Sequence, residues 1–580
     1  MTVPILFDDQ LKILLLSMVP GLPLVVGLSL FIKPLQEFLL RVAPWTALPA
    51  LAVALFLKPG ITLKVPWFFM GGRMGLDPVG QNFLLLAALV WMLSAFFGRS
   101  YLRNDSRRCY FFFFYLLSMA FNFGLILAQE MLGFYLFFGL MSISAYGLII
   151  HTKSDEALLA GKVYIVLVMA GEGLLIAGML LLASRLPDWE LSTIAASQPD
   201  NLSLTLLFLG FAIKVGALPV HIWLPLAHPV APVPASAVLS GVMIKAGLLG
   251  WIRFLPVGQE VILSGWGALF VVLGILAAFY GVLIGLTQRE AKSILAYSSI
   301  SQMGLMTMLV GCGLLSPAFW PQVTNAISIY ALNHGLAKAA LFLGTGLVRE
   351  GNWQKPPPWL LVLLLFPALA LAGLPLTSGA IAKFTIKEIL EGLPSQWGVP
   401  LKRILPLTAL ATMLLLGHFL RVISQSIVTP KPMLPAGMLI PWVTLLVGVG
   451  GLLWVWPVYP EYAEHITDGN LFWQNLYPVV LGFGILFSCW KWCAGKNMPR
   501  LPAGDILWLF YGPSKKEPGW IYKKFFSRDA AIMKSSGQGE MNQVLCNTGR
   551  KVEKKFMRWG VVGSCYILLF FTFLCLLFMQ

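Results

Sequence analysis

The chain has 580 residues, 58% of them hydrophobic and 11% charged, with a mean hydropathy of +0.80. Soluble domains carry about 25% charged residues, so a water-soluble globular protein is excluded. The formal net charge of +16, from 41 Lys+Arg against 25 Asp+Glu, collects in loops and near the C-terminus. Membrane proteins place basic residues there to set their orientation, so the charge gives no reason to expect a nucleic-acid partner.

Taken in chain order, the N-terminus "MTVPILFDDQLK" has no basic leader region or cleavage motif, so the first helix is expected to be retained. Apolar runs able to cross a membrane core of about 30 Å are expected at 11–32, 44–58, 80–98, 110–130, 132–150, 162–184 and 202–220. They continue at 229–254, 262–286, 290–312, 322–348, 359–391 (interrupted), 403–423, 437–456 and 472–494. A polar, basic stretch follows from Lys496 to about Arg558, and a last apolar run covers Trp559 to Phe578. Basic and aromatic residues interleave in that stretch, which fits either a helix lying along a membrane surface or a solvated linker. The runs are continuously apolar and do not alternate as membrane strands do, so the expected fold is all-α and polytopic, with 14–16 transmembrane helices.

Two segments break their own helical pattern. "FAIKVGALPVHIWLPLAHP" (211–229) sets Lys214 before Pro219, Pro225 and Pro229, and "LALAGLPLTSGAIAKFTIKEIL" (369–390) sets Gly373, Pro375 and Gly379 before Lys383 and Lys387. Paired interrupted helices in the two halves of a transporter point to internal repeats and a site near the midplane. Broken backbone is tolerated there only where protein covers it or it lines a cavity.

Ionisable residues inside apolar runs carry the sharpest functional signal, because each costs a few kcal/mol or more to insert. These are Glu172 in "IVLVMAGEGLLIAGM", Lys214, Lys245 in "VLSGVMIKAGLLGW", His334 and Lys338 in "YALNHGLAKAALFL", and Lys383. His334 and Lys338 are four apart and share a helical face. Desolvation disfavours the charged lysine, which lets a buried lysine release and recapture a proton, and histidine titrates near neutrality unaided. The six residues together are read as a proton translocation path. Singly, Lys245 or Lys338 could also pair structurally or snorkel. His221 and His228 are expected at a water-exposed helix break, Lys387 at a helix end, and Glu130 at an interface.

No glycine-rich phosphate loop, dinucleotide fingerprint or nucleophile elbow is present. Of seven cysteines only Cys489 and Cys493 are close, without further ligands beside them. Neither a cofactor nor a metal is expected, and no redox centre in this chain.

These motifs identify a resemblance. "FAIKVGALPVHIWLPLAHPVAPVPASAVLSGVMIKAGLLGWIRF", "LTQREAKSILAYSSISQMG", "ALNHGLAKAALFLGTG" and "LAGLPLTSGAIAKFTIKE" occur in that order, after "MGLDPVGQNFLLL" around Asp77. Together, over about residues 70–425, they resemble the proton-translocating antiporter-like family of membrane subunits found in respiratory complex I, membrane hydrogenases and Mrp-type sodium/proton antiporters. The resemblance implies fourteen core helices with two inverted five-helix repeats, each holding one broken helix. It divides the chain into N-terminal helices (1–109), a first repeat (110–254), a second repeat (262–425), C-terminal helices (437–494) and a basic segment with a final helix (496–580). It makes Lys214 and Lys383 the broken-helix lysines, Lys245 a relay lysine, and His334 and Lys338 the continuation of a hydrated charged axis.

One departure stands out. The family's glutamate lies in a "WELMS"-like motif, but here the segment reads "FFGLMS" with Gly139 in that place, leaving Glu172 on the next helix as the candidate substitute. The implied function is movement of protons, alternatively exchanged for sodium, in a bacterial inner membrane. The implied partners are sibling antiporter-like subunits and a hydrogenase or dehydrogenase module, so any NADH-quinone oxidoreductase activity would belong to the whole complex. A proton-path subunit of an inorganic-carbon uptake system and a stand-alone secondary transporter remain as alternatives.

Overall fold

A computed structural model describes residues 9–65, 72–256, 263–431, 436–455, 469–492 and 501–504, all within one compact unit spanning residues 1–505. Helices dominate it. In order they are α1 (Asp9–Ser29), α2 (Gln36–Val42), α3 (Leu48–Phe56), α4 (Pro78–Tyr101), α5 (Arg108–Leu127), α6 (Met131–Ile149), α7 (Asp155–Ala183), α8 (Leu191–Ala195), α9 (Asn201–Val215) and α10 (Trp223–Val230). Then come α11 (Val233–Val238), α12 (Ile244–Phe254), α13 (Ser264–Gly285), α14 (Ala291–Leu315), α15 (Trp320–Glu350), α16 (Pro358–Ala372), α17 (Ser378–Gly392), α18 (Ser395–Ser424), α19 (Ala436–Val455) and α20 (Gly469–Trp492). Between α3 and α4 the chain makes a short antiparallel ribbon of β1 (Thr62–Val65) and β2 (Gly72–Gly75), with Thr62 opposite Gly75. Among the described residues, eleven helical stretches are long and apolar enough to cross a membrane. The expected final helix, 559–578, and most of the basic stretch before it lie outside the described residues.

The helices start where side chains satisfy their first amide groups. Asp77 caps α4 by accepting from Gly80 N. Glu130 caps α6 from Leu132 N and Gly133 N, at 2.8 and 2.7 Å, and Ser154 caps α7 from Ala157 N at 3.2 Å. Across the bundle the apolar stretches of α14 and α15, and of the α11–α12 crossing, are enclosed by protein. Outer helices instead present Val166, Leu276 and Leu283 to their surroundings. Helices α13 and α14 meet backbone to backbone: a Cβ on Gly274 would sit 2.5 Å from Gly304 O, and one on Gly304 would sit 2.5 Å from Gly274 O. Small residues at such a seam permit the close approach that dispersion between membrane helices requires.

Both interrupted segments break in the same way. Helix α9 ends at Gly216 with φ +73, and α16 ends at Gly373 with φ +84. In the first, Ala217 N donates to Ala212 O at 3.0 Å and Gly216 N to Ile213 O at 3.2 Å. In the second, Leu374 N donates to Leu369 O at 3.0 Å and Gly373 N to Ala370 O at 3.1 Å. Each is a Schellman cap, which needs a residue free to adopt the left-handed conformation. Glycine therefore terminates the helix, and the prolines at 219 and 375 follow just beyond it. Restarting α17 brings Gly379 so close to α16 that an added Cβ would lie 1.6 Å from Ala370 O, a main-chain atom. Gly379→Ala is therefore expected to yield little folded protein, or a clearly lower unfolding midpoint in detergent. Gly451→Ala on α19, where nothing lies within 4 Å, should leave the midpoint unchanged or raise stability by ~0.5–1 kcal/mol.

Candidate functional site: the ionisable centre

The first cluster forms where α6, α7 and α9 meet. Lys214 occupies the last turn of α9, near the negative end of that half-helix, where the dipole favours a cation. It is 2% exposed. Its Nζ donates to Ser142 Oγ of α6 and to Tyr164 OH of α7, both at 3.1 Å. It also lies 5.5 Å from the centre of the Tyr164 ring, and Tyr164 OH donates to Ser142 O at 2.9 Å. Glu172 is buried on α7, two turns beyond Tyr164, within electrostatic reach of Lys214 and hydrogen-bonded with Ser142. Its Oε2 has no partner among the described residues. Gly139, where the resemblance places a glutamate, is three residues before Ser142 and shares its helical face.

The second cluster lies between α12, α14 and α15. A π-helical turn, Leu239–Met243, joins α11 to α12; such turns displace the helical hydrogen-bond register and recur at functional sites. Here it leaves Ser240 O to accept from Lys245 Nζ at 2.7 Å, while Ser240 Oγ meets Ser299 Oγ at 2.7 Å. His334 and Lys338, both fully buried, face this point from α15. Lys338 Nζ donates to Leu295 O at 2.6 Å. His334 lies within electrostatic reach of Lys245 and Lys338, and both its ring nitrogens lack hydrogen-bond partners among the described residues.

Lys383 sits on the second half-helix, α17, and reaches back across the break to Ala372 O at the end of α16. In the first break the carbonyl that takes part in the cap, Ile213 O, also accepts from Trp223 Nε1 at 2.7 Å. Polar links join the second break to its neighbours: Ser378 Oγ donates to Asn333 Oδ1 at 2.8 Å. One turn from His334, Tyr330 OH donates to Gln302 Oε1 at 2.7 Å, and Gln302 Nε2 donates to Thr412 Oγ1 at 3.0 Å. Lys387, expected at a helix end, donates to Gln474 Oε1 in an exposed setting.

Two histidines differ from expectation. His221 and His228 were expected at a water-exposed break, yet both are fully buried, because α10 folds inward against α7 and α14. His228 stacks on Phe342 with ring centres 4.7 Å apart, and neither ring nitrogen has a hydrogen-bond partner among the described residues. It lies within electrostatic reach of Lys338 and of Lys292, a residue that reading the sequence passed over. Lys292 is 2% exposed and donates to Ala231 O at 2.7 Å. Beyond it, Arg349 and Glu290 approach to 3.8 Å at the surface, so polar groups run from the centre to one face. Near the opposite face, burial pushes the Glu130 carboxyl up to about 7, against the two amides that it caps. There Arg253 donates to Asp77 and to the carbonyls of Leu125, Ile126 and Ala128, tying α12 to the ends of α4 and α5. No group of three or more His, Cys, Asp or Glu that could hold a metal occurs among the described residues.

Comparison with known proteins bears out the resemblance. Residues 128–399 match the family described as "NADH:quinone oxidoreductase/Mrp antiporter, TM". Hydrogenase-4 component B of Escherichia coli (strain K12) is 26% identical over 388 residues, covering 61% of this chain and 58% of that protein. Na(+)/H(+) antiporter subunit A1 of Staphylococcus aureus (strain Newman) is 29% identical over 351 residues, covering 56% of this chain and 43% of that protein. The chain thus spans about half the length of these curated relatives. A chain in the structure of the Mrp complex from Dietzia sp. DQ12-45-1b shares the fold, with a TM-score of 0.65 and 19% identity over 82% of this chain and 99% of its own.

Ser142 and Tyr164 hold the same ammonium, so their loss should not be additive. Tyr164→Phe and Ser142→Ala are each expected to lower proton flux about tenfold, equivalent to ~1.4 kcal/mol. The double variant should fall by much less than the product, in a double-mutant cycle on reconstituted protein.

Proposed function

We propose that this chain is an integral membrane subunit that translocates protons along Glu172, Lys214, Lys245, His334, Lys338 and Lys383, within a larger membrane assembly. The observation that carries this reading is the meeting of Glu172 and Lys214 at Ser142, where a broken helix ends inside the protein. A carboxylate that near holds a lysine charged; any shift that separates them or neutralises the carboxylate frees the proton. Glu172 takes the place of the family glutamate missing at Gly139, because α7 packs along α9 and presents its carboxylate to the same lysine. The released proton passes by way of water admitted at the breaks to Lys245 and His334, then to Lys338 and Lys383. His228 and Lys292 provide a branch from that axis to the Glu290–Arg349 pair at one face.

Two inverted repeats, 110–254 and 262–425, fit this path. The half-helices α9 and α16 carry identical caps, and counting the crossings between them brings them in from opposite faces. The basic loops holding Arg103, Arg107, Arg108, Lys153, Arg289 and Arg349 fall on one side, which the distribution of positive charge makes cytoplasmic. Related proteins are named as components or subunits, which supports membrane partners, a redox module among them, and a bacterial inner membrane. Sodium is the alternative coupling ion.

The test is proton uptake by proteoliposomes holding the assembly that a tag on this chain recovers in mild detergent. Other membrane subunits should co-purify. Lys214→Met and Lys383→Met should abolish uptake, and Glu172→Gln should lower it at least about tenfold. Uptake that persists in both lysine variants overturns the path. Uptake that survives only in Glu172→Gln removes that residue from it. Varying sodium at fixed pH separates proton transport from exchange.

A further inference from the structure

A cavity of about 790 Å³ opens where α2 and α4 meet the start of α5 and of α19, at the face carrying the basic loops. Four arginines line it: Arg41, Arg99, Arg103 and Arg108. Against them stands a single carboxylate, Glu37, which already pairs with Arg108. Arg99 and Arg41 lie within electrostatic reach of each other and repel. Among the described residues no carboxylate pairs with Arg41, Arg99 or Arg103. Asp105, in the loop two residues after Arg103, is engaged by His151 at 2.9 Å. Three unmatched positive charges around one concavity call for an anion.

The rest of the wall says which anion. Trp45 and Ile440 line the same cavity and stay 53% and 65% exposed. Phe96, beside Trp45 with ring centres 5.1 Å apart, lines it too. These residues lie on helices that continue into the membrane core, so the apolar wall runs downward from the arginines. Free phosphate would use only the guanidinium groups. An amphiphile with an anionic head would use both parts.

We propose that this cavity binds an anionic phospholipid, its phosphate held by Arg41, Arg99 and Arg103 and its acyl chains laid along Trp45, Phe96 and Ile440. Guanidinium forks match phosphate oxygens geometrically, and basic pockets between membrane helices on the cytoplasmic side suit such headgroups. Arg108 is held back by Glu37, which fixes the rim. The cavity volume falls in the range of small-molecule sites. Gly437 forms part of the wall where a Cβ would lie 2.1 Å from Ser100 Oγ, so α19 approaches α4 closely enough to close the pocket on one side. The lipid bridges α2, α4 and α19 from the edge.

The experiment uses the full chain, stripped of lipid in detergent and offered phosphatidylglycerol, phosphatidylcholine or inorganic phosphate. Retained lipid is counted by native mass spectrometry, and the unfolding midpoint is followed in parallel. Phosphatidylglycerol should be retained and should raise the midpoint; phosphatidylcholine and inorganic phosphate should do neither. Affinity should fall about fivefold for each arginine removed, hence about 25-fold in Arg41→Gln/Arg99→Gln. Arg41→Lys/Arg99→Lys should keep most of it. Should the glutamine pair fail to fold, exposed Arg103→Gln provides the single fivefold step. Lys153→Gln, on the same face but outside the cavity, should change nothing. Equal retention of both lipids, binding unaffected by the arginine substitutions, or protection by inorganic phosphate equal to that by phosphatidylglycerol would each overturn the proposal.

Discussion

Buried main-chain carbonyls capped by ammonium groups are the interaction on which this structure depends. A carbonyl left unpaired in the membrane core costs several kcal/mol, yet two helices end inside the protein and a third carries a π turn. Lysines take up the carbonyls that result. Lys383 caps Ala372 O, Lys245 caps Ser240 O and Lys292 caps Ala231 O just past α10, whereas Lys338 meets Leu295 O inside the unbroken α14. At the first break Trp223 adds a second donor to Ile213 O, which already accepts from Gly216 N. Break and cation are thus one device: the break supplies the acceptor, and the acceptor makes the cation tolerable.

Lys214 is the exception, and the exception is informative. It rests on two hydroxyl groups and faces Glu172, the one buried carboxylate among the described residues. Five buried lysines against one glutamate cannot all stay charged in a medium of low dielectric, where unpaired ions are heavily penalised. Proton occupancy is what the centre can adjust. A carbonyl holds its lysine in place whatever Glu172 does, whereas the hold on Lys214 changes with the carboxylate's charge. On the proposed path, control therefore concentrates at the first break, and the remaining lysines conduct.

Much of this was legible in the sequence, for definite reasons. Long apolar runs betray crossings wherever lipid is the solvent, so most spans in the described residues fall within a few residues of the observed helices; α7 and α18 start seven and eight residues before the expected 162 and 403, where polar and charged residues open the helix. Lysines inside such runs are conspicuous because membranes exclude charge, which singled out Lys214, Lys245, Lys338 and Lys383. Lys292 escaped notice because "TQREAK" reads as a polar loop; only the packing of α10 over the start of α14 buries it. Ser142 and Tyr164 are unremarkable in the chain and acquire meaning only when three helices converge. His221 and His228 sit beside prolines that suggested open water, but α10 turns inward. The prolines drew attention at each break, although the glycine two or three residues earlier makes the turn. The ribbon of β1 and β2 left no alternation strong enough to read.

The central claim is that Glu172 and Lys214 share one proton equilibrium. Infrared difference spectroscopy of the membrane-reconstituted assembly across a pH jump tests it most directly, through the stretching band of a protonated carboxyl group. The account predicts a band that disappears in Glu172→Gln and shifts in frequency in Lys214→Met. A carboxyl band that survives unchanged in both variants would contradict it.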